Sequence, residues 1–343
     1  MVQSFPLLPR LPARQSPAAM SSWRAEQLGA KFERAEVREY YGHKRKVHSV
    51  DWSMSGKKLA SGSVDQTARV WTIEGAGAGR DVELRGHSDS VDQIAWDPTH
   101  AERLVTASAD RTIKVWDANS AKCTATVATD GENINVAWSP DGRYVAVGTR
   151  HDHVHIVDVR KAAILQSVEP GAEVNEIRWA PSGDRMLFSM GTGRVDVRAF
   201  PALDTVLDSV WAHTTNIYSL AFDRTGKLFA TGAADALVSL WDAEENVCLR
   251  SFARLDWPVR AVTFSHDSTL IASASEDPFI DISEVDTGAK VHALPVRAAV
   301  NSIAWHPSKY LLAYACDEAS GQPQGAREPL LHVFGFAGQQ SAQ

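Results

Sequence analysis

GHKRKVHSVDWSMSGKKLASGSVDQTARVWT, residues 42–72, holds three short runs that alternate apolar and polar residues, with a turn signal between each pair. Val47–Trp52 reads VHSVDW, Lys58–Ser63 reads KLASGS and Thr67–Thr72 reads TARVWT, separated by Ser55-Gly56 and Asp65-Gln66. A period of two in Val, Thr and aromatic residues, broken by Gly, Ser and Asp, predicts three antiparallel strands joined by tight turns. GHSDSVDQIAWDPTHAERLVTASADRTIKVWD, residues 86–117, repeats the arrangement as VDQIAW, LVTASAD and TIKVWD. In the next unit Ser139-Pro140-Asp141-Gly142 marks the turn with particular clarity.

The aromatic residue that closes the first run recurs along the whole chain. Trp52, Trp96, Trp138, Trp179, Phe222, Phe264 and Trp305 are spaced by 44, 42, 41, 43, 42 and 41 residues. A fixed period in the low forties, built of short strands, is the mark of a propeller blade. Seven anchors therefore predict an all-β, seven-bladed β-propeller over residues 31–336, with a disordered leader at 1–30 and a disordered tail at 337–343. The last blade runs out of chain after its strand at 330–334, and the spare strand is residues 35–41 (AEVREYY). Pairing the two ends closes the ring and removes an open sheet edge. Deleting residues 30–41 is accordingly expected to destabilise the fold far more than deleting 1–20.

Three units carry a fuller set of polar residues: His43, Ser61, Asp65 and Trp71; His87, Thr106, Asp110 and Trp116; and His213, Thr231, Asp235 and Trp241. In each, the His stands nine residues before the anchor and the Asp six before the closing Trp. This pattern resembles the WD40 repeat, which implies a buried hydrogen-bonded relay. Buried His, Asp and indole groups are costly unless each finds a partner. The set also looks like a Ser–His–Asp triad, but a triad belongs at one cleft, and this one recurs in three blades. It is read as structural. The other units decay: Val147, His151 and Val157 replace the set in the third, Gly193 and Ala199 stand in the fourth, Ser283 ends the sixth, and a polar insertion at 317–328 interrupts the seventh.

Composition narrows the function. The net charge is −7, against a dedicated electrostatic grip on nucleic acid. Cys123, Cys248 and Cys316 are few and widely spaced, so neither a disulfide framework nor a metal site is expected, and a reducing compartment is the natural reading. No cofactor, small-molecule substrate or membrane span is expected, and no nucleophile, phosphate-loop or paired-carboxylate motif stands outside the repeat. The first 25 residues carry Arg, Ser and Pro without an acid. They are read as a disordered leader or an upstream start before Met20, rather than a transit peptide, because the prolines oppose an amphipathic helix.

Beyond the generic repeat, GHSDSVDQIAWDP (86–98), GENINVAWSPDGRYVAVG (131–148) and above all the stretch 229–288, with RLDWPVR (254–260) and SASEDPFIDI (273–282), resemble the family of the third subunit of the THO complex. The resemblance covers residues 37–336. It implies a non-catalytic nuclear scaffold of the transcription–export (TREX) machinery, coupling transcription to mRNP assembly and mRNA export. Its expected partners are other THO subunits and export factors, with any RNA contact indirect. Two departures stand out: His151 replaces an expected acid, and the leader before about residue 30 has no counterpart.

Propellers bind through loops at their faces. Arg254, Asp256, Trp257 and Arg260 lie in the turn that replaces Gly-His before the sixth blade, where a Trp between two Arg, stiffened by Pro258, has the chemistry of a binding hot spot. Trp257 either faces a partner or folds inward to fill the space of the missing His. Lys44, Arg45 and Lys46 form a basic run on the equivalent turn of the first blade, either part of a positive rim or a solvated loop. Glu132, Glu173 and Glu176 would give the opposite, acidic side. Two other binding roles compete. A cullin-type ubiquitin ligase receptor would carry Trp-Asp-x-Arg, but Trp116-Asp117-Ala118-Asn119 and Trp241-Asp242-Ala243-Glu244 lack the Arg. A chromatin reader would need a pocket at the central channel.

Overall fold

The structure, a computed structural model, describes residues 17–75, 77–317 and 330–337, with side chains from residue 25. A helix, α1 (Pro17–Glu33), precedes β1 (Ala35–Tyr40). Blade 1 follows as β2 (Val47–Trp52), β3 (Lys58–Ser63), β4 (Thr67–Thr72) and β5 (Asp81–Arg85). Blade 2 is β6 (Val91–Trp96), β7 (Arg103–Ser108), β8 (Thr112–Asp117) and β9 (Lys122–Ala128). Blade 3 is β10 (Asn133–Trp138), β11 (Tyr144–Thr149), β12 (Val154–Asp158) and β13 (Ala163–Val168). Blade 4 is β14 (Val174–Trp179), β15 (Arg185–Met190), β16 (Arg194–Ala199) and β17 (Val206–Trp211). Blade 5 is β18 (Ile217–Phe222), β19 (Leu228–Ala233), β20 (Val238–Asp242) and β21 (Cys248–Phe252). Blade 6 is β22 (Ala261–Phe264), β23 (Leu270–Ala274), β24 (Phe279–Glu284) and β25 (Lys290–Pro295). Blade 7 is β26 (Val300–Trp305), β27 (Leu312–Cys316) and β28 (Leu331–Ala337).

The described residues form seven four-stranded antiparallel sheets, the seven blades that the repeat requires. The seventh is completed by β1 in the order β1-β28-β27-β26, with Tyr40 opposite Leu331 and Val37 opposite Phe334. The innermost strands contact one another in turn around a closed ring. Buried side chains fall into seven clusters, each straddling two neighbouring blades. One joins Val136 and Trp138 to Val105 and Val115, for example. The anchors also fix the spacing between blades. The indoles of Trp52, Trp96 and Trp138 each donate, at 3.0 Å, to a carbonyl of the preceding blade: Ala304, Asp51 and Ala95 respectively. Phe222 and Phe264 keep the packing and lack the donor.

The expected leader needs correction. Residues 1–16 lie outside the described residues, but from Pro17 the chain is helical through Glu33. Proline at the first helical position gives up no hydrogen bond, since that N–H has no partner within a helix, so the prolines before it do not oppose a helix that begins there. Ala25, Leu28, Gly29 and Phe32 recur at the spacing of one helical face. That face lies on β25, where Gly29 approaches the Val291 carbonyl so closely that a Cβ would stand 3.0 Å from its oxygen. Phe32 is 1% exposed, wedged between blades 6 and 7 against Ile282, Trp305 and Phe334. Residues 318–328 of the insertion and the tail after Ala337 lie outside the described residues.

Candidate partner-binding surface

The turns that lead into the innermost strands share one frame. In blade 1 the Asp65 carboxylate accepts from His43 Nδ1 at 2.9 Å and from the Lys44 N–H at 2.9 Å. The Ser61 hydroxyl lies 2.8 Å from His43 Nε2 and accepts from the Trp71 indole at 2.8 Å. Blade 2 repeats this with His87 Nδ1–Asp110 at 2.8 Å, His87 Nε2–Thr106 at 2.7 Å and Trp116–Thr106 at 2.9 Å. Blade 5 has His213–Asp235 at 3.0 Å, His213–Thr231 at 2.8 Å and Trp241–Thr231 at 3.2 Å. Burial alone would raise the Asp65 carboxyl, but hydrogen bonds from His43, Thr67 and the Lys44 N–H outweigh it and hold it below the ordinary range. Burial likewise lowers His87, against the pull of Asp110. The three hydroxyls are fully buried, so these arrangements present no nucleophile to solvent.

Blade 6 shows what the frame becomes without its His. Leu255 stands at the His position and is buried. Asp277 keeps the turn in place by accepting from the Asp256 and Trp257 N–H groups at 3.0 and 3.1 Å. Leu255 thus occupies the space of the missing ring, and Trp257 stays 54% exposed. Arg254 turns inward instead, donating to Asp281 at 3.0 Å and to the Gly288 carbonyl at 3.0 Å.

The basic groups expected to form a positive rim are mostly paired. Six innermost strands carry a register irregularity at one position, occupied by His48, Asp92, Ile134, Asn175, Tyr218 and Asn301. All six stand four residues before their anchors, and Arg260 is the seventh member of the set. Arg260 donates to Asn301 at 2.8 Å and pairs with Glu276; Asn301 donates to Asp317 at 2.7 Å, and Asp317 pairs with Lys46 at 2.9 Å. This ladder links blades 6, 7 and 1 and spends Arg260 and Lys46 on internal partners. Lys44 and Arg45 remain exposed. The acidic side also differs from expectation: Glu132 pairs with Arg150 at 3.2 Å and Glu173 is exposed, while Glu176 is buried between Arg178 and Gln93, each 3.3 Å away. Burial raises the Glu176 carboxyl, and pushes nearby Asp51 up to about 6.

The sequence reading missed a second surface. The outer strands of three successive blades expose Ile164 and Leu165 on β13, Val206, Leu207 and Trp211 on β17, and Leu249 on β21. Trp211 is 69% exposed. Three other outer strands are guarded: β5 carries Asp81, Glu83 and Arg85, β1 carries Glu36, Arg38 and Glu39, and β25 is covered by α1. Charges are a common protection for an exposed sheet edge, and blades 3 to 5 carry few. On β13 and β17 the apolar residues Ile164-Leu165 and Val206-Leu207 stand side by side instead of alternating, which is the signal that could have located this rim.

In blade 3 the fold gathers polar groups that no short sequence motif connects. Asp130, in the turn before β10, meets His153 Nδ1 and lies 2.8 Å from His155 Nε2. Hydrogen bonds from the two rings outweigh burial and hold Asp130 at about 2.

Residues 43–315 match the family profile described as the THOC3 beta-propeller domain. THO complex subunit 3 of Arabidopsis thaliana is 50% identical over 313 residues, covering 91% of this chain and 99% of the relative. WD repeat-containing protein AAC3 of Dictyostelium discoideum is 33% identical over 329 residues, 89% of this chain and 68% of the relative. Eukaryotic translation initiation factor 3 subunit I of Drosophila grimshawi is 25% identical over 240 residues, 65% of this chain and 72% of the relative. With the profile, the first two matches establish that the chain belongs to the THO complex subunit 3 family.

Proposed function

We propose that this chain is a non-catalytic scaffold subunit of a THO/TREX-type complex, acting in the nucleus to couple transcription with mRNP assembly and mRNA export. The observation that carries the reading is the half-identity to THO complex subunit 3 over nearly the whole length of both proteins. A non-catalytic role is supported by the fate of the His–hydroxyl–Asp sets, which are buried in three blades and committed to indole partners. The partners are other THO subunits and export factors. RNA contact is indirect, in keeping with the net charge of −7 and the pairing of Arg260 and Lys46.

Docking uses the exposed Trp257 turn, with the apolar rim of blades 3 to 5 as a second protein-facing surface. Trp257 is the better probe of the first, because Arg254 and Arg260 are structural. Affinity purification of the full chain from nuclear extract at mild salt is expected to recover other THO subunits. Trp257→Ala is expected to weaken recovery at least about 30-fold in affinity, the scale of a hot-spot side chain worth ~2 kcal/mol. Recovery of no THO subunit by the wild type removes the scaffold reading. Undiminished recovery by a folded Trp257→Ala removes only the turn.

A further inference from the structure

Blade 3 has lost the relay, and an inverted arrangement stands in its place. Where blades 1, 2 and 5 put an Asp, blade 3 has His151, which is exposed. The acid is Asp130, moved to the turn before β10, and the imidazoles come from β12 and the residue just before it. Asp130, His153 and His155 each offer one ligand atom, and these atoms all lie within 4.8 Å of one another. The two rings stand at 78°, with centroids 6.1 Å apart, so they approach the carboxylate from different directions.

The outer contacts make this more than a chance cluster. His155, 4% exposed, directs Nε2 at Asp130, and its Nδ1 lies 2.7 Å from the Ser167 hydroxyl on the paired strand β13. His153 directs Nδ1 at Asp130, and its Nε2 lies 3.3 Å from Glu169. Each ring therefore turns one nitrogen inward and anchors the other on a hydroxyl or carboxylate. That is the way proteins orient metal-binding imidazoles and fix their tautomers. The Ser167 hydroxyl can donate to Nδ1 or accept from it, so it serves both the metal-free and the metal-bound tautomer of His155.

We propose that Asp130, His153 and His155 bind one divalent ion of the zinc class, which clamps the turn before β10 to β12. Two imidazoles and a carboxylate are the nitrogen and oxygen donors that Zn2+ accepts, with bonds of about 2.0–2.2 Å. Ligand atoms around a tetrahedral ion stand roughly 3.4 Å apart at those bond lengths, so loading needs the Asp130 carboxylate to draw back from the rings it is hydrogen-bonded to. The ion takes the place of the proton each ring shares with Asp130. A fourth position stays open for water or a partner's side chain.

The test uses the purified full chain, stripped with a chelator and titrated with Zn2+ against a chromophoric competitor, with bound metal counted by mass spectrometry. One Zn2+ per chain is expected, together with a rise in Tm and a visible absorption band when Co2+ is used instead. His153→Ala and Asp130→Asn, both at partly exposed positions, are expected to abolish all three signals while the metal-free melt shows a folded protein. Ser167→Ala is expected to weaken binding about 10-fold, the usual effect of an orienting partner. His151→Ala is expected to leave binding unchanged. The proposal is overturned if the wild type takes up no stoichiometric Zn2+, or if folded His153→Ala and Asp130→Asn variants bind it as tightly as the wild type.

Discussion

Replacing Phe32 by Ala tests the claim that the N-terminal helix belongs to the propeller. Phe32 is almost fully buried, and its ring lies 5.5 Å from Phe334, 6.0 Å from His292, 6.2 Å from Tyr310 and 6.3 Å from Trp305. It thus touches the outer strand of blade 6 and both inner and outer parts of blade 7, next to the strand that closes the ring. A buried Phe→Ala change typically costs about 3–5 kcal/mol, combining lost transfer energy with the cavity left behind. In a domain of this size 1 kcal/mol shifts Tm by roughly 2 °C, so Phe32→Ala should lower Tm by about 6–10 °C. Thermal and urea unfolding of the full chain would measure it. Gln27→Ala on the exposed face of the same helix is the control for helix formation alone, and removal of residues 1–16 is the control for what precedes it; both should leave Tm within about 1 °C. A Phe32→Ala melt equal to wild type would refute the wedge, and so would an equal loss in the Gln27→Ala control.

Thr106→Val leaves His87 Nε2 and the Trp116 indole without their shared partner, and each orphaned buried group costs about 1–3 kcal/mol. Urea unfolding should show a loss of roughly 2–6 kcal/mol, the sum for the two groups; a loss near zero would mean that packing alone carries the blade. His332, stacked on Tyr314 at 4.8 Å, is lowered by burial from 6.5 to about 4. The unfolded chain therefore binds more protons between those values, and stability is full above pH 6.5 and falls as pH drops through that window, by at most about 3 kcal/mol for this group. His332→Phe should flatten that part of the stability profile, and an unchanged slope would exclude His332 as its source. Leu207→Lys on the apolar rim should leave Tm unchanged and reduce recovery of partner subunits; full recovery would take the rim out of the docking surface.

Legibility followed the range of the interaction. The anchors, the strand alternation and the three relays are short-range patterns, and the geometry of His43, Ser61, Asp65 and Trp71 is met by residues within one repeat. The helix was legible too, in the spacing of Ala25, Leu28, Gly29 and Phe32, but the prolines before it hid the signal. The pairing of Arg260 with Glu276 and of Lys46 with Asp317 was not legible, because those partners come from other loops, and charge along a chain does not show its neutralisation in space. The site at Asp130 was invisible for the same reason. Its carboxylate lies more than twenty residues from the two imidazoles, and only the pairing of β12 with its neighbours brings them together.

By itself, then, the sequence determined the number of blades, their order and the closing strand, because a propeller is nearly one-dimensional and each blade repeats the same local pattern against its neighbour. Tertiary structure alone decided which way Trp257 faces, since that depended on Leu255 filling the space of a missing ring. It also decided which charges are free, which outer strands stay bare, and where the imidazoles of blade 3 converge. Those outcomes depend on contacts between loops and blades far apart in the chain, which a repeating local pattern does not encode.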